Sequence, residues 1–359
     1  MKNNIIAVSF IVIIFSMFSL NILCNNAEEL ISSAVNEVKN SNYSTKKEQI
    51  RGLVKNLENK YNDNIVLKKE LGVPTNLLDY TLFDRIESNA SLVGKDKWMF
   101  YKTTYDGKPL DDYEGINIYT DDQMSQITQN IKNAKDYYNS LGIDFQLMIC
   151  PNKEQVYSEY MPIDIKVTNT EKKADKLIKY LESNNIDVID PKPELLQYKD
   201  SAQVYYKNDT HWNNLGAFIG AQHINEALLG NRESFDPANI IEEGTAKKCD
   251  LLKILGLSLL NKDKEYNYIS NVHNVNVEYT AVNENLDHYS SNAASDKKVL
   301  LIGDSFRWAL QHWMPYYYSS VDFIHRDYFT RDLIDQLKPD VIIYEVVERH
   351  TDVLFNQLY

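Results

Sequence analysis

Residues 298–307 constrain the fold more than any other stretch of this sequence. Residues 299–302 form a short apolar run with β-branched ends, a pattern typical of a strand buried on both faces of a sheet. Gly303 ends the run, and a helical segment begins near Phe306. Ser305 therefore stands where a strand ends and a helix starts, beside backbone N–H groups that have no helical partner. Such amides can stabilise an oxyanion, so the segment suits a nucleophilic serine.

A second explanation is that Asp304 or Ser305 only caps the helix. A catalytic partner elsewhere would decide between the two, and Asp209 and His211 are the candidates. They lie two residues apart in a loop before a helix that begins near Leu215, so both side chains can face the same way. A carboxylate there can accept the imidazole Nδ1–H and leave Nε2 free as a base.

Two other interpretations of Asp209 and His211 remain open. Asp209 can be a helix cap and His211 a packed loop residue, which is the commoner case for an isolated pair. The Asp-x-His spacing also suits a metal ligand, but no second His or Cys pair at ligand spacing accompanies it in the sequence. We therefore expect neither a metal nor a cofactor.

The chain between residues 121 and 345 alternates helical and apolar strand patterns. Such alternation predicts an α/β fold of the flavodoxin-like, three-layer kind with a parallel, doubly wound sheet. Residues 91–101 read as a hairpin before this pattern starts, and we place the beginning of the domain there. Residues 230–296 interrupt the alternation with polar, Asn- and Tyr-rich sequence, which we interpret as an insertion or a cap over the site. The expected helices lie at 121–141, 170–184 and 217–229, and the expected strands at 143–149, 186–190, 299–302, 322–325 and 339–345.

Residues 5–24 are uncharged and mostly apolar, which is long enough for a membrane-spanning helix. The small-residue pattern of a signal-peptidase site is missing after them. Lys2 precedes the span and acidic residues follow it, which orients the rest of the chain towards the outside. We expect a single-pass anchor over 1–26, a helical spacer over 27–85 and a catalytic domain over 86–359; cleavage of the first segment would instead give a secreted protein.

The formal net charge of −13, from 38 basic and 51 acidic residues, argues against nucleic acid and against docking on anionic lipid. Cys24, Cys150 and Cys249 are too few for a disulfide scaffold and lack metal-ligand spacing. A bond between Cys150 and Cys249 is one possibility outside the cell. Two buried thiols are the alternative that we expect.

Asp209-Thr-His-Trp212 followed by Gly303-Asp-Ser-Phe306 resembles the SGNH-like polysaccharide O-acetyltransferases of the AlgJ/AlgX type, and above all their DHHW-protein relatives. The sequence departs from that pattern at Thr210, where a second histidine would complete Asp-His-His-Trp, and at Cys249, where family members often have glycine. Four further segments resemble the family in the same order, namely residues 92–101, 151–162, 249–256 and 338–349.

The resemblance implies an SGNH-hydrolase-like fold with a triad of Ser305, His211 and Asp209, in which Asp-x-His lies upstream of the serine. It also implies acetyl transfer to an exported polysaccharide outside the membrane, with a membrane-bound O-acyltransferase as the acetyl source. A carbohydrate esterase (deacetylase) and a non-catalytic glycan-binding subunit of a polysaccharide export complex remain as alternatives.

Three residues near these motifs are candidates for substrate binding. Trp212 can stack on a sugar ring, although a core aromatic next to the triad is the competing interpretation. Arg326 and Tyr328 follow a predicted strand, where they can face the pocket or lie on the surface. The Ser305 backbone N–H is expected to contribute to the oxyanion hole.

Overall fold

The computed structural model of this chain describes residues 76–77, 79–81, 86, 88–272 and 274–359. The expected membrane anchor over 1–26 and most of the expected spacer over 27–85 lie outside the described residues. None of the helices in the described part of the chain has the length and apolar character needed to cross a bilayer.

Eleven strands and nine α-helices make up the described part of the chain from Ser91 onward. The strands are β1 (Ser91–Val93), β2 (Met99–Tyr101), β3 (Asp144–Cys150), β4 (Val188–Ile189), β5 (Ile240–Thr245), β6 (Lys264–Tyr268), β7 (Val277–Ala281), β8 (Leu286–Ser291), β9 (Ser295–Gly303), β10 (Tyr318–His325) and β11 (Val341–Val347). The helices are α1 (Pro109–Glu114), α2 (Asp121–Ser140), α3 (Lys153–Val156), α4 (Lys173–Ser183), α5 (Lys192–Tyr198), α6 (Asn214–Leu229), α7 (Asp250–Ile254), α8 (Arg307–Leu310) and α9 (Asp332–Leu337).

Seven strands form the main sheet in the order β4-β3-β11-β9-β10-β8-β7. The first five run parallel, as the alternating sequence pattern predicts. Strand β8 pairs antiparallel with both of its neighbours, β10 and β7, so the prediction of a wholly parallel sheet is wrong at this edge. The reason is the short connection between β7 and β8, because strands joined by a tight turn can pair only in the antiparallel sense.

Strands β9 and β11 are buried on both faces, which explains their unbroken apolar sequences. Side chains alternate between the faces. Val299 and Leu301 pack with α6 in one hydrophobic cluster. Leu300 and Ile302 pack with α2 and α4 in the other. The sheet therefore lies between two helical layers, in agreement with the three-layer expectation.

The region 230–296 contributes β5 to β8 and α7. Strands β5 and β6 form a separate antiparallel pair, whereas β7 and β8 extend the main sheet. The hairpin predicted over residues 91–101 is confirmed by the pairing of β1 with β2. The thiols of Cys150 and Cys249 are unpaired; Cys150 is buried as expected, but Cys249 is only half-buried.

The carboxyl ends of the parallel strands meet at one edge of the sheet. In open α/β sheets, ligands bind outside these ends. The segments that follow β3, β9, β10 and β11 carry Lys153, Ser305, Arg326 and His350, respectively. The fold thus gathers polar groups from distant parts of the sequence around the end of β9.

Candidate active site

Ser305 lies in the turn between β9 and α8 and is half-buried. The neighbouring Asp304 performs the capping, because its Oδ1 accepts the backbone N–H of Phe306 at 3.0 Å. The Ser305 hydroxyl is instead 2.7 Å from Nε2 of His211. The choice between a cap and a free hydroxyl is therefore resolved at this turn: Asp304 caps, and Ser305 contacts the histidine.

His211 connects Ser305 to Asp209. Its Nδ1 lies 2.7 Å from Oδ1 of Asp209, and its backbone N–H donates to the same oxygen at 3.1 Å. With a proton on Nδ1, the carboxylate fixes this tautomer and Nε2 can accept the Ser305 proton. The two sequence motifs, 94 residues apart, thus meet in one hydrogen-bonded chain.

Asp209 is charged under ordinary conditions. Burial alone would raise the pKa of this carboxyl group, but its hydrogen bond to His211 and the charge of the imidazolium outweigh burial and lower the pKa to about 2. Its second oxygen, Oδ2, accepts the backbone N–H of Asp250 at 2.8 Å. Both carboxylate oxygens are thereby fixed, which holds the His211 ring in one orientation.

Asp250, which starts α7, is a site residue that sequence reasoning missed. Its Oδ1 accepts the backbone N–H of Thr210 at 2.8 Å, and its Oδ2 accepts the Thr210 hydroxyl and lies 3.6 Å from Nδ1 of His211. Thr210 therefore uses its side chain to tie the Asp-x-His loop to α7. Burial, followed by the nearby charge of Asp209, raises the pKa of Asp250.

The donor atoms of Asp209, His211 and Asp250 lie within 4.8 Å of one another, which is close enough for a shared metal ion. The two ring nitrogens of His211 are, however, already engaged with Asp209 and Ser305. An ion would have to break the 2.7 Å bond between His211 and Asp209 to bind Nδ1. The expectation that no metal takes part stays a prediction, and chelation tests it.

Lys153, at the start of α3, supports the loop that carries Asp209. Its ammonium group is buried and donates to the backbone oxygens of Tyr206, Lys207 and Asp209 at 3.2, 3.2 and 2.6 Å. Burial lowers the pKa of Lys153 to about 8. Lys153 thus binds three carbonyl groups of one turn and holds that turn in place. The sequence did not reveal this role of Lys153.

A second network surrounds the residue before the nucleophile. Oδ2 of Asp304 accepts the backbone N–H of Val347 at 2.9 Å and faces Nη1 of Arg326 at 3.1 Å and Nδ1 of His350 at 3.3 Å. The other ring nitrogen of His350 lies 2.6 Å from Oδ1 of Asp106. Burial would raise the pKa of Asp304, but the hydrogen bond from His350 and the charge of Arg326 lower it.

Because Gly303 has no side chain, the carboxyl group of Glu345 can lie close to the serine turn. A Cβ atom on Gly303 would lie 2.3 Å from Oε2 of Glu345, the oxygen that accepts the backbone N–H of Asp304 at 3.0 Å. Burial and the charge of Asp304 raise the pKa of Glu345 well above its usual range. Any larger residue at 303 would displace this carboxyl group and the turn that it supports.

Trp212 does not reach the surface, so its assignment to sugar binding is corrected. The indole is fully buried and packs against Gly220 of α6, where an added Cβ would lie 2.8 Å from the ring. Its Nε1–H donates to the backbone oxygen of Phe306 at 3.0 Å. Trp212 therefore ties the histidine loop to the serine turn from below, which matches the competing interpretation as a core aromatic.

The other two candidates for substrate binding, Arg326 and Tyr328, differ in their surroundings. Arg326 pairs with Asp304 and keeps a small exposed fraction next to the serine turn. Tyr328 is 56% exposed, and its ring packs edge-on against His325. A missed residue, Trp308, is 48% exposed and has its ring centroid 6.0 Å from that of His211.

Acyl transfer requires a hydrogen-bond donor for the oxyanion, and the backbone N–H of Ser305 can be that donor. Within residues 88–272 and 274–359, no hydrogen-bond acceptor is paired with this N–H. A free amide on the nucleophile itself is well placed to bind an oxyanion.

The family described as "SGNH hydrolase-like domain, acetyltransferase AlgX" matches residues 92–314, more than half of the chain. A probable alginate O-acetylase AlgJ from Pseudomonas aeruginosa is 27% identical over 203 residues, which cover 54% of this chain and 48% of that protein. The chain thus matches about half the length of this relative.

Two solved structures share the fold. A DHHW family protein from Eubacterium siraeum aligns with a TM-score of 0.55 and 14% identity, over 76% of this chain and 94% of that one. PatB1 from Bacillus cereus, solved with a sulfonyl adduct, aligns with a TM-score of 0.51 and 15% identity, over 76% of this chain and 99% of that one.

Proposed function

Because the chain belongs to the SGNH hydrolase-like acetyltransferase family of AlgX, we propose that it is an extracytoplasmic enzyme that transfers acetyl groups to hydroxyls of an exported polysaccharide. The observation that carries the proposal is the continuous hydrogen-bonded chain from Asp209 through His211 to Ser305. A nucleophile, a base and a group that orients the base are the parts that covalent acyl transfer requires.

In the first half-reaction, Nε2 of His211 takes the proton of Ser305 while Oγ attacks the carbonyl carbon of the acetyl donor. The resulting oxyanion is stabilised by the Ser305 backbone N–H. His211 then gives its proton to the departing group of the donor, and an acetyl-serine remains. The charge of Asp209 stabilises the imidazolium that forms between these steps.

In the second half-reaction, a sugar hydroxyl takes the place of the departed group. His211 removes the hydroxyl proton, and the sugar oxygen attacks the acetyl carbonyl. Collapse of the second tetrahedral intermediate returns the proton to Ser305 and releases the acetylated sugar. Each proton that His211 accepts is given back, so the free enzyme is regenerated without a cofactor.

The N-terminal segment 5–24 supports a location at the membrane, with the catalytic part outside. That location would bring Ser305 close to a membrane-bound O-acyltransferase, which we propose as the acetyl source. It would also bring the site close to a polymer as it leaves the membrane.

Transfer competes with hydrolysis, because water can attack the same acetyl-serine. A bound and oriented acceptor can reach effective molarities on the order of 10⁵ M or more, which is enough to outcompete water. A deacetylase would have the same three residues, so only the fate of the acetyl group separates the two activities.

The test uses the full chain in detergent with 4-nitrophenyl acetate and a panel of oligosaccharides, and Ser305→Ala as the matched control. We expect slow hydrolysis without acceptor and, with the right oligosaccharide, a mass gain of one acetyl group per modified hydroxyl. Both signals should disappear in Ser305→Ala. Removal of acetyl from pre-acetylated polymer, with no fragment ever gaining acetyl, would identify a deacetylase instead; activity that survives Ser305→Ala would refute the triad.

A further inference from the structure

A surface groove of about 340 Å³ begins beside the serine turn. Three of its residues, Trp308, Gln311 and His312, come from the segment that directly follows Ser305. The opposite wall comes from the β7–β8 pair at the edge of the main sheet. The full lining consists of Val277, Tyr289, Trp308, Gln311, His312, Pro315 and Tyr316.

Trp308 connects this groove to the proposed catalytic residues. Its backbone N–H donates to the backbone oxygen of Ser305 at 3.3 Å, and its ring centroid lies 6.0 Å from that of His211. Almost half of the Trp308 surface is exposed, although large apolar side chains favour burial. The exposed indole is thus close enough to His211 to contact an acceptor that presents a hydroxyl to Nε2 of that residue.

The chemistry of the lining fits a sugar chain. Tyr289, Trp308 and Tyr316 supply flat apolar surfaces, and Gln311 and His312 supply hydrogen-bonding groups. A pyranose ring has an apolar face of C–H groups and a rim of hydroxyls, so it can pack on an aromatic ring while its rim forms hydrogen bonds. Small-molecule sites combine the same two features.

The charged groups in and near the groove restrict which class of sugar can bind there. No Asp, Glu, Lys or Arg belongs to the lining, and the chain as a whole carries a formal charge of −13. Gln311 donates to Oδ2 of Asp287 at 2.9 Å, which places a carboxylate behind one wall. Lys248, with Nζ 6.0 Å from the Trp308 ring centroid, is a cation at the rim. Arg307 is buried and donates to the backbone oxygen of Asp304.

We propose that this groove binds the acceptor as a chain of uncharged pyranosides, with one sugar face packed on Trp308 and a hydroxyl directed at His211. The proposal rests on the proposed acetyl transfer and names its substrate class. A polyuronate carries a carboxylate on each unit, whereas no charged side chain lines the groove. Among the described residues, the two cations next to Trp308 are Lys248 and Arg307, at 6.0 and 5.6 Å from the ring centroid, and Arg307 is buried and already donates to the backbone oxygen of Asp304. The acceptor would then differ in charge from the alginate in the name of the AlgJ relative.

Direct binding tests the proposal without any turnover. Full-length Ser305→Ala protein in detergent is titrated by calorimetry with cellohexaose, N-acetylchitohexaose and a mannuronate hexamer. We expect at least one neutral hexamer to bind more tightly than the mannuronate hexamer. Trp308→Ala in the same background should weaken this binding at least tenfold, and Trp308→Phe should retain most of it.

Tyr105→Ala is the matched control, because Tyr105 is also an exposed aromatic residue but does not belong to the groove lining. Its affinity for the neutral hexamer should equal that of the parent. Tighter binding of the uronate, binding of no hexamer, or a loss of affinity in Tyr105→Ala rather than in Trp308→Ala would each overturn the proposal. Binding of a neutral hexamer at Trp308 without any acetyl transfer in the active protein would refute the proposed function but leave the groove assignment standing.

Discussion

The ammonium nitrogen of Lys153 lies 2.6 Å from the main-chain oxygen of Asp209. This bond joins the end of β3 to the loop whose side chains contact Ser305. Because Lys153 also binds the main-chain oxygens of Tyr206 and Lys207, it fixes the turn from inside the protein rather than through any side chain of the site. Lys153 is thus a positioning residue, and its removal should affect turnover without touching the substrate.

We expect Lys153→Met to lower kcat for 4-nitrophenyl acetate at least tenfold and to lower the melting temperature. The substitution leaves the carbonyl groups of Tyr206 and Asp209 without their donor, whereas that of Lys207 still accepts the backbone N–H of Met99 at 3.0 Å. Each unsatisfied buried group costs about 1–3 kcal/mol. Since burial lowers the Lys153 pKa to about 8, the parent should also lose kcat as the pH rises above that value, whereas the Met variant should not.

The control is Lys199→Met, because Lys199 also donates to a main-chain oxygen, that of Val156, but outside the Asp209 loop. It should retain the parent kcat and pH profile. The rates are measured at a temperature at which circular dichroism shows that every variant is folded. An unchanged kcat in folded Lys153→Met would refute the positioning role.

Asp209→Asn should lower kcat by roughly 10³- to 10⁴-fold, because an amide favours the wrong His211 tautomer. Asp250→Asn should lower it by less, since Asp250 Oδ2 is 3.6 Å from Nδ1 of His211 and Asp209 Oδ1 is 2.7 Å away. Steady-state rates with the activated ester measure both. Equal losses in the two variants would mean that the carboxylates share the orienting role.

His350 should make folding stability depend on pH. Burial lowers the pKa of His350, but its hydrogen bonds to Asp106 and Asp304 outweigh burial and raise it. A histidine whose pKa is higher in the folded state stabilises the fold fully below its unfolded pKa of about 6.5, and this contribution is lost as the pH rises through the folded pKa.

We therefore expect His350→Gln to reduce the free energy of unfolding more at about pH 5.5 than at about pH 8.5, by roughly 1.5–3 kcal/mol, the scale of a hydrogen bond to a charged group. Urea unfolding at the two pH values measures the difference. His223→Gln is the control. It removes a different histidine, which pairs with Glu194 away from the serine turn. If His350→Gln lowers the free energy of unfolding equally at both pH values, His350 is not the source of the pH dependence.

Chelation should leave ester hydrolysis unchanged, because the proposed chemistry needs only the side chains of Ser305, His211 and Asp209. The experiment is dialysis against EDTA, followed by a rate measurement with and without added Zn²⁺, Mn²⁺ or Ca²⁺. Loss of activity on dialysis and its recovery with one of these ions would favour a metal held by Asp209, His211 and Asp250.

Long periodic elements were predictable from the sequence. The helix expected over 121–141 is α2 (Asp121–Ser140), which buries an apolar stripe that includes Ile127, Ile131, Ala134 and Tyr138 and begins with a capping box at Thr120. The serine and histidine motifs were predictable for a different reason, because each lies next to a strong local signal, a buried strand and a helix start.

What the sequence concealed depends on contacts between distant segments. Strand β8 is polar (Leu286–Ser291) and half-buried, so its apolar pattern is weak, and its pairing with β7 and β10 makes it a strand. Lys153 and Asp250 look like ordinary surface charges at helix starts until the fold brings them to the Asp209 loop. Trp212 and Trp308 could not be told apart by sequence, since only packing on α6 decides which indole is buried.

The position of β11 has a consequence for how the protein is made. It is the last strand of the chain, yet it lies in the middle of the sheet, between β3 and β9. During synthesis the two halves of the sheet cannot join until residues 341–347 have emerged, and the backbone N–H of Val347, which donates to Asp304, emerges with them. The serine turn thus reaches its final form only after residues 341–347 are available, so a chain that stopped before them would contain Ser305, His211 and Asp209 but not the completed turn that holds the serine.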